Sequence, residues 1–349
     1  MIKECDIYTL LNASDIPVID VRSPAEFNHA HIPGAINIPL FNDEERKTVG
    51  IIYKQESKTK AIETGLDLAG KKLSMFIREA KAIAKNNTLF IHCWRGGMRS
   101  KSMATLFDFA GINTLVLNGG YKSYRREIQN FFNYPFPFVI LGGKTGSGKT
   151  EVLHFLKQQG EQVIDMEALA NHKGSAFGAL GEQLQPSTEQ FENNLFEELR
   201  KCNLQKYIWL EDESHLIGTV FIPEIIWFSM RRAHVVFLDI PIKERIAFLV
   251  SHYGKYPAEE IESALQKITK RLGGQHYKET LELYRNGNLA DATEKVLTYY
   301  DKTYAHGLSS RNKATIHHLQ FDSLQPENIA ANCSAFLKTN MHLQSSIYY

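Results

Sequence analysis

Thr88-Leu-Phe-Ile-His92-Cys93-Trp94-Arg95-Gly96-Gly97-Met98-Arg99-Ser100 reads as a strand, a tight loop and the start of a helix. The apolar run from Thr88 to Ile91 predicts a buried strand. Met98 through Ala110 predicts a helix closed by Gly111. A cysteine therefore stands between a strand and a helix N-terminus. Gly96 and Gly97 let the backbone curl, so that amide N–H groups point inward as an anion nest. The helix dipole adds partial positive charge, and Arg95 and Arg99 add full charges. Such surroundings lower a thiol pKa from about 8.5 into the range of roughly 3.5–7.5. The expectation is a nucleophilic Cys93 thiolate facing a tetrahedral anion, cradled by Trp94, Gly96, Gly97, Met98 and Ser100. A cysteine that merely packs needs neither the glycines nor two arginines.

Outward from this loop, strands alternate with helices. Pro17 to Val21 predicts a short strand ending in Asp20 and Arg22. Ser23-Pro24-Ala25-Glu26 is a capping box with proline at the first helical position. Pro33-Gly34 marks a turn, and Ala35 to Ile38 can form a strand. Leu68 to Lys85 carries helical periodicity into the cysteine strand. Thr114 to Leu117 predicts another strand, stopped by Gly119-Gly120. Tyr121 to Phe132 predicts a basic, aromatic helix whose Lys122, Tyr124, Arg125 and Arg126 are a better RNA candidate than the helical insertion, weighed against a solvated face. The alternation implies a parallel sheet with helices on both faces. Asn133-Tyr-Pro135-Phe-Pro137 is a stiff, extended connector. The expected division is a domain over 1–133, a linker over 134–137 and a second domain over 138–349.

The second domain opens with another strand, loop and helix. Phe138 to Leu141 is the strand. Gly143-Lys144-Thr145-Gly146-Ser147-Gly148-Lys149-Thr150 fits GxxxxGK[ST], and Glu151 to Gln158 is the helix. Amides of Gly146 to Lys149 would cradle phosphates, Lys149 would add a point charge and Thr150 could ligate Mg²⁺. Further strands are expected at Val163 to Asp165, Tyr207 to Leu210, Val235 to Asp239 and Thr315 to Leu319. Asp165, Glu211 and Asp212 stand at strand ends, where they could hold Mg²⁺ or activate a nucleophile. Glu259 to Leu283 predicts a helical insertion. Polar segments at Asn171 to Gly178, Gln185 to Asn193, Arg271 to Gly274 and Tyr299-Tyr-Asp301 stand out between these elements. The fold class expected is α/β in both halves, the second a three-layer α/β/α P-loop domain with a helical insertion.

The totals set bounds. The 349 residues carry 40 Lys and Arg against 39 Asp and Glu, so no global field draws in nucleic acid and any RNA contact is local. Cys5, Cys93, Cys202 and Cys333 have no CxxC spacing, which argues against a zinc site or disulfide framework. No apolar run approaches a membrane span of about 18 residues, and the N-terminus lacks a signal-peptide core. A cytoplasmic protein without a membrane partner is expected.

The first half resembles a rhodanese domain. The resemblance rests on Asp20-Val-Arg22-Ser-Pro-Ala-Glu26-Phe, His31-Ile-Pro-Gly34-Ala-Ile-Asn-Ile-Pro39, the Cys93 loop and Leu117-Asn-Gly-Gly120-Tyr. Rhodaneses carry sulfur or selenium on the loop cysteine. The five residues between Cys93 and Arg99 also match the His-Cys-x5-Arg-Ser loop of cysteine phosphatases, although no loop aspartate offers itself as general acid. Cys93 to Ser100, Gly142 to Thr150, Gly174-Ser-Ala-Phe-Gly178, Glu211-Asp-Glu-Ser214 and Tyr299-Tyr-Asp301, in that order, resemble the tRNA 2-selenouridine synthase family up to about Leu308. That resemblance implies action on the wobble uridine, position 34, of tRNA. It implies geranylation of 2-thiouridine with geranyl diphosphate, then replacement of the S-geranyl group by selenium from selenophosphate. Cys93 matches the selenium-carrying cysteine. The implied partners are tRNA and a selenophosphate-producing enzyme, the co-substrates selenophosphate and geranyl diphosphate, with Mg²⁺ a further candidate. A P-loop kinase with a regulatory rhodanese domain, or a phosphatase using the Cys93 loop, are the competing readings.

Overall fold

The computed structural model describes residues 1–13, 15–175, 177–254 and 256–340. Ala176 of the Gly174–Gly178 segment and the side chain of Arg271 lie outside the described residues. The chain forms two compact units. One comprises Met1–Phe131 together with Glu192–Glu197. The other comprises Phe132–Phe191 and the chain from Glu198 onward.

The first unit is a five-stranded sheet of β1 (Ile2–Cys5), β2 (Val18–Asp20), β3 (Ile36–Asn37), β4 (Thr88–His92) and β5 (Asn113–Leu117). Its order is β1-β5-β4-β2-β3, and every pairing is parallel. The expected strands are therefore present, and β1 is an edge strand that the sequence pattern did not announce. Parallel strands buried on both faces are near-continuously apolar, as Leu89, Phe90 and Ile91 are in central β4. Phe76, Ala80, Met103, Ala104 and Phe107 from the helices Leu73–Ile83 and Met98–Phe109 close over one face. The stretch expected as one helix from Leu68 is broken, with Lys58–Gly70 ending before Leu73–Ile83 begins. The capping box forms as expected at Pro24–His29: Glu26 N–H donates to Ser23 Oγ, and Ser23 N–H to Glu26 Oε2.

The second unit contains β6 (Phe138–Gly143), β7 (Gln162–Val163), β8 (Ile208–Glu211), the hairpin of β9 (Leu216–Ile217) and β10 (Val220–Phe221), then β11 (His234–Asp239) and β12 (Ile316–Gln320). Its main sheet runs β12-β11-β6-β8-β7, again parallel throughout. β6 lies at the centre, so the loop that leaves its C-terminal end is fixed by neighbours on both sides. Ligands of open parallel sheets bind at this end. The helices Lys149–Gln158 and Pro326–Asn340 pack Val152, Leu156, Ile329 and Cys333 onto one face. The expected insertion is three helices, Ala258–Lys267, Thr269–Leu272 and Gly274–Arg285, with a separate small core around Ile261, Leu265 and Ile268. No helix among the described residues is long and apolar enough to cross a membrane.

Candidate active site

The Cys93 loop is held from beneath by backbone. Tyr121 N–H donates to the Cys93 carbonyl at 2.9 Å, and Lys122 N–H to the Trp94 carbonyl at 3.0 Å. These donors open the helix Gly120–Phe131. The approach is so close that only glycine fits on either side. Gly96 has φ +64° and Gly120 φ +57°, both in the left-handed region. A Cβ on Gly96 would lie 2.5 Å from the Leu117 carbonyl oxygen, and one on Gly120 would overlap the Cys93 carbonyl and the Gly96 amide. The Leu117–Tyr121 segment is thus the floor of the loop.

One wall is a buried ion pair. Arg22 Nε donates to Asp20 Oδ2 at 2.9 Å and Nη2 to the Ala30 carbonyl at 2.7 Å. The guanidinium lies 4.0 Å from the centroid of the Tyr121 ring. Asn37 Nδ2 ties the Asp20 and Arg22 carbonyls to the neighbouring strand. Removing one partner of such a pair costs about 3–5 kcal/mol, since the other charge stays buried alone. Burial also holds the adjacent His92 imidazole below its ordinary pKa.

Cys93 itself is buried, and its sulfur is met by donors. Gly97 N–H donates to Sγ at 3.3 Å, and Ser100 Oγ lies 3.3 Å away. The Ser100 hydroxyl also reaches the Gly97 carbonyl at 3.1 Å. It has one proton. Against a neutral thiol it can serve the carbonyl, and against a thiolate it can turn to sulfur. Burial pushes the Cys93 thiol up. The Ser100 hydroxyl, the Arg95 and Ser100 amides and the Arg99 charge outweigh it and hold the thiol below its ordinary value. The other three cysteines go the opposite way: burial pushes Cys5 to about 11 and Cys333 to about 12, and raises Cys202.

The two loop arginines part company. Arg99 forks onto Glu26, with Nη1 2.6 Å from Oε2 and Nη2 3.3 Å from Oε1. It acts on sulfur through its field while Glu26 fixes its place. Arg95 is exposed and no hydrogen bond or ion pair engages its side chain among the described residues, so it is the cation free to meet an incoming anion. Trp94 and Met98 are exposed at the rim. In the helix weighed for RNA, Tyr124 and Arg125 are engaged within the fold while Lys122 and Arg126 are exposed. Tyr121 and Tyr124 are buried, and Arg125 bonds Asn193 Oδ1 at 2.6 Å and pairs with Glu192.

In the second unit, Lys149 Nζ donates to the Gly143 carbonyl at 3.1 Å and lies 3.3 Å from Glu211 Oε1. Thr150 Oγ1 donates toward Glu211 Oε2 at 3.2 Å and Glu167 Oε2 at 3.4 Å. Carboxylate oxygens of Glu167, Glu211 and Glu213 lie within 4.8 Å of one another. Burial first, and then the Glu211 and Glu213 charges, push Glu167 up to about 10. Burial and Glu211 push Glu213 to about 8. Three carboxyl groups around one lysine can carry more negative charge than Lys149 balances, and without another cation beside them they keep protons instead. Oxygen donors in such excess suit a hard divalent cation, and these residues with Thr150 would hold it.

Of the three carboxylates expected at this site, Glu211 faces the loop. Asp212 borders the same cleft, but its carboxylate is taken by Arg311 and by the Tyr304 hydroxyl at 2.7 Å. Asp165 caps the helix Met166–Ala170, accepting from Ala168 N–H at 2.8 Å. Glu167 and Glu213 take the places expected of them. Tyr304 also accepts from Gly143 N–H at 3.1 Å. Arg245, buried, donates to the Thr145 carbonyl at 3.0 Å and forks onto Asp301 at 2.9 and 2.8 Å. Asp301 of the Tyr299-Tyr-Asp301 segment is thus a positioning residue for the phosphate loop.

Comparison with known proteins agrees with both halves. A family model of the tRNA 2-selenouridine synthase AAA domain matches residues 136–327, and one of the rhodanese-like domain matches 6–127. The chain is 35% identical over 306 residues to a tRNA 2-selenouridine synthase of Hydrogenovibrio crunogenus, covering 81% of this chain and 83% of that protein. It is 36% identical over 344 residues to that of Marinobacter nauticus, covering 88% and 92%. It is 30% identical over 359 residues to that of Nitrosomonas europaea, covering 88% and 92%. This chain carries a cysteine loop on a rhodanese-like sheet followed by a phosphate loop on a second parallel sheet, and with relatives 30–36% identical over most of its length it belongs to the tRNA 2-selenouridine synthase family.

Proposed function

We propose that the protein converts 2-thiouridine at the wobble position of tRNA into 2-selenouridine, with the work divided between its two loops. The observation that carries this reading is the Cys93 thiol, the one cysteine of the four whose surroundings favour the charged form. In the first step the phosphate loop holds geranyl diphosphate. The 2-thio sulfur of the base attacks the first carbon of the geranyl group, the carbon–oxygen bond breaks and pyrophosphate leaves. Lys149 and the loop amides receive the charge that develops on that leaving group. Mg²⁺ bound by Glu167, Glu211, Glu213 and Thr150 would supply further neutralisation there.

In the second step the Cys93 loop receives selenophosphate, delivered by a selenophosphate-producing enzyme, and the Cys93 thiolate attacks its phosphorus so that the phosphorus–selenium bond breaks. The Gly97 amide and the unengaged Arg95 meet the anion, and Arg99 stabilises the charged sulfur. The selenide so released adds at C2 of the base, the bond from C2 to the alkylated sulfur breaks and geranylthiol departs, and water then frees phosphate from Cys93. Alkylating the sulfur is what makes it a leaving group.

The test is mass spectrometry of nucleosides from 2-thiouridine tRNA incubated with the protein, with geranyl diphosphate and selenophosphate added singly and together. Geranylated base is expected to accumulate with Cys93→Ser, selenated base to appear only with wild type, and Lys149→Ala to block geranylation. No mass change under any condition would sink the proposal. ATP turnover surviving Cys93→Ser would then favour the kinase reading, and phosphate release from an aryl phosphate the phosphatase.

A further inference from the structure

The polar segment Gln185 to Asn193 has no part in either loop as described so far, yet its last residue reaches the surroundings of Cys93. The helix Thr188–Leu199 begins and ends in the second unit, while Glu192–Glu197 in its middle belongs to the first. That middle lies outside the rhodanese-like match, which stops at residue 127. Asn193 is fully buried there. Its Nδ2 donates to the His31 carbonyl and to the Tyr121 hydroxyl oxygen, each at 2.8 Å, and its Oδ1 accepts from Arg125 Nη1 at 2.6 Å. Both amide hydrogens and the carbonyl are thus used, as a buried side-chain amide requires. The partners matter for the cysteine loop. His31 follows Ala30, whose carbonyl holds Arg22 in the wall. Tyr121 donates its N–H to the Cys93 carbonyl from the floor and carries the Arg22 guanidinium on its ring. One amide therefore ties the wall to the floor.

We infer that Asn193 is a positioning residue for Cys93, acting through Tyr121 and the chain at His31. Its role in turnover rests on the reading of Cys93 as the nucleophile of the second step. The sulfur is met by backbone amides, whose aim is set by the curl of the loop, and the curl is set by the floor beneath it. A donor that tilts loses much of its hydrogen bond, so a floor free to shift weakens the support of the charged sulfur. The next turn of the same helix supplies the contrast. Tyr124 is buried as well, and its hydroxyl donates to Glu197 Oε1 at 3.0 Å. Tyr121 and Tyr124 thus each bond the segment Glu192–Glu197 through a hydroxyl, and of the two it is Tyr121 whose N–H holds the Cys93 carbonyl. A merely structural bond would make the two hydroxyls equivalent. A positioning role makes them differ.

The experiment compares the full-length protein with Asn193→Ala, Tyr121→Phe and Tyr124→Phe. Iodoacetamide alkylation of Cys93 is followed against pH, and each variant is melted. Tyr121→Phe keeps the ring and the backbone donor and removes only the hydroxyl. Asn193→Ala and Tyr121→Phe are expected to raise the alkylation midpoint by about half a pH unit, so that the thiolate fraction below it falls about threefold. Tyr124→Phe is expected to lower the melting temperature as Tyr121→Phe does and to leave the midpoint in place. With geranylated tRNA and selenophosphate, Tyr121→Phe is expected to lower kcat for selenation and keep the KM for tRNA. A midpoint unmoved by Tyr121→Phe, or moved equally by Tyr124→Phe, overturns the assignment, and this comparison stands even where Asn193→Ala fails to fold. A raised midpoint with undiminished selenation overturns the reading of Cys93 as the nucleophile and leaves Asn193 as the group that positions it.

Discussion

Ser100→Ala removes the hydroxyl that lies 3.3 Å from Cys93 Sγ and leaves the sulfur with the Arg95, Gly97 and Ser100 amides. A hydrogen bond to a charged group contributes about 1.5–3 kcal/mol, and sulfur is a weak acceptor, so the low end applies. At about 1.4 kcal/mol per pK unit, the thiol pKa rises by about one unit and the thiolate fraction below both pKa values falls about tenfold. A more basic thiolate is also the better nucleophile. With a Brønsted slope of about 0.4–0.5, each ionised sulfur reacts about threefold faster. The two effects give alkylation about threefold slower on the acid side and about threefold faster on the alkaline plateau, so the pH profiles cross. The assay is iodoacetamide alkylation against pH, read by mass spectrometry on the peptide that carries Cys93. Cys5, near 11, and Cys333, near 12, stay silent through most of the range. The lost bond to the Gly97 carbonyl costs about 1 kcal/mol of stability besides. A superimposable profile, or one shifted to lower pH without crossing, would refute the assigned role of Ser100.

Two further outcomes are expected. Glu167 titrates near 10 when folded and near 4.5 when unfolded, so across that window the folded chain keeps a proton that the unfolded chain has released. Stability therefore falls as pH rises, and Glu167→Gln removes the loss: its advantage over metal-free wild type should grow by roughly 1 kcal/mol per pH unit between about pH 5.5 and 8 in urea unfolding. Parallel stability curves would exclude a held proton. Gly120→Ala places a methyl group against the Cys93 carbonyl in left-handed backbone, and should cost about 2–4 kcal/mol and erase the selective alkylation of Cys93. Retained selectivity at wild-type stability would show that the floor of the loop can yield.

Both loops were legible because each is local: a strand, a few glycines and a helix N-terminus within a dozen residues carry the geometry. The capping box at Ser23 was legible for the same reason. Of the carboxylates, Glu211 was legible and Glu167 and Glu213 were missed, although part of the signal was present. Side chains alternate along a strand, so Glu211 at the end of β8 and Glu213 two residues on share a side while Asp212 turns to Tyr304 and Arg311. Glu167 gave no sign, since an acid in the first turn of a helix is ordinary. Arg245 and Asp301 meet across long sequence separation, which no short pattern joins. Burial of Tyr121 and Tyr124 likewise reflects tertiary packing over a helix whose composition suggested an exposed face.

The contact between Gly96 and Gly120 makes two separate stretches of chain behave as one word in mutational space. A side chain at either position is blocked by the main chain of the other, not by an atom that a second substitution could trim away. Drift can reshape the rim of this loop, where Trp94 and Met98 meet solvent, without disturbing the sulfur. The floor allows no such gradual path: a lineage that abandons it must rebuild both segments together or surrender the geometry around Cys93.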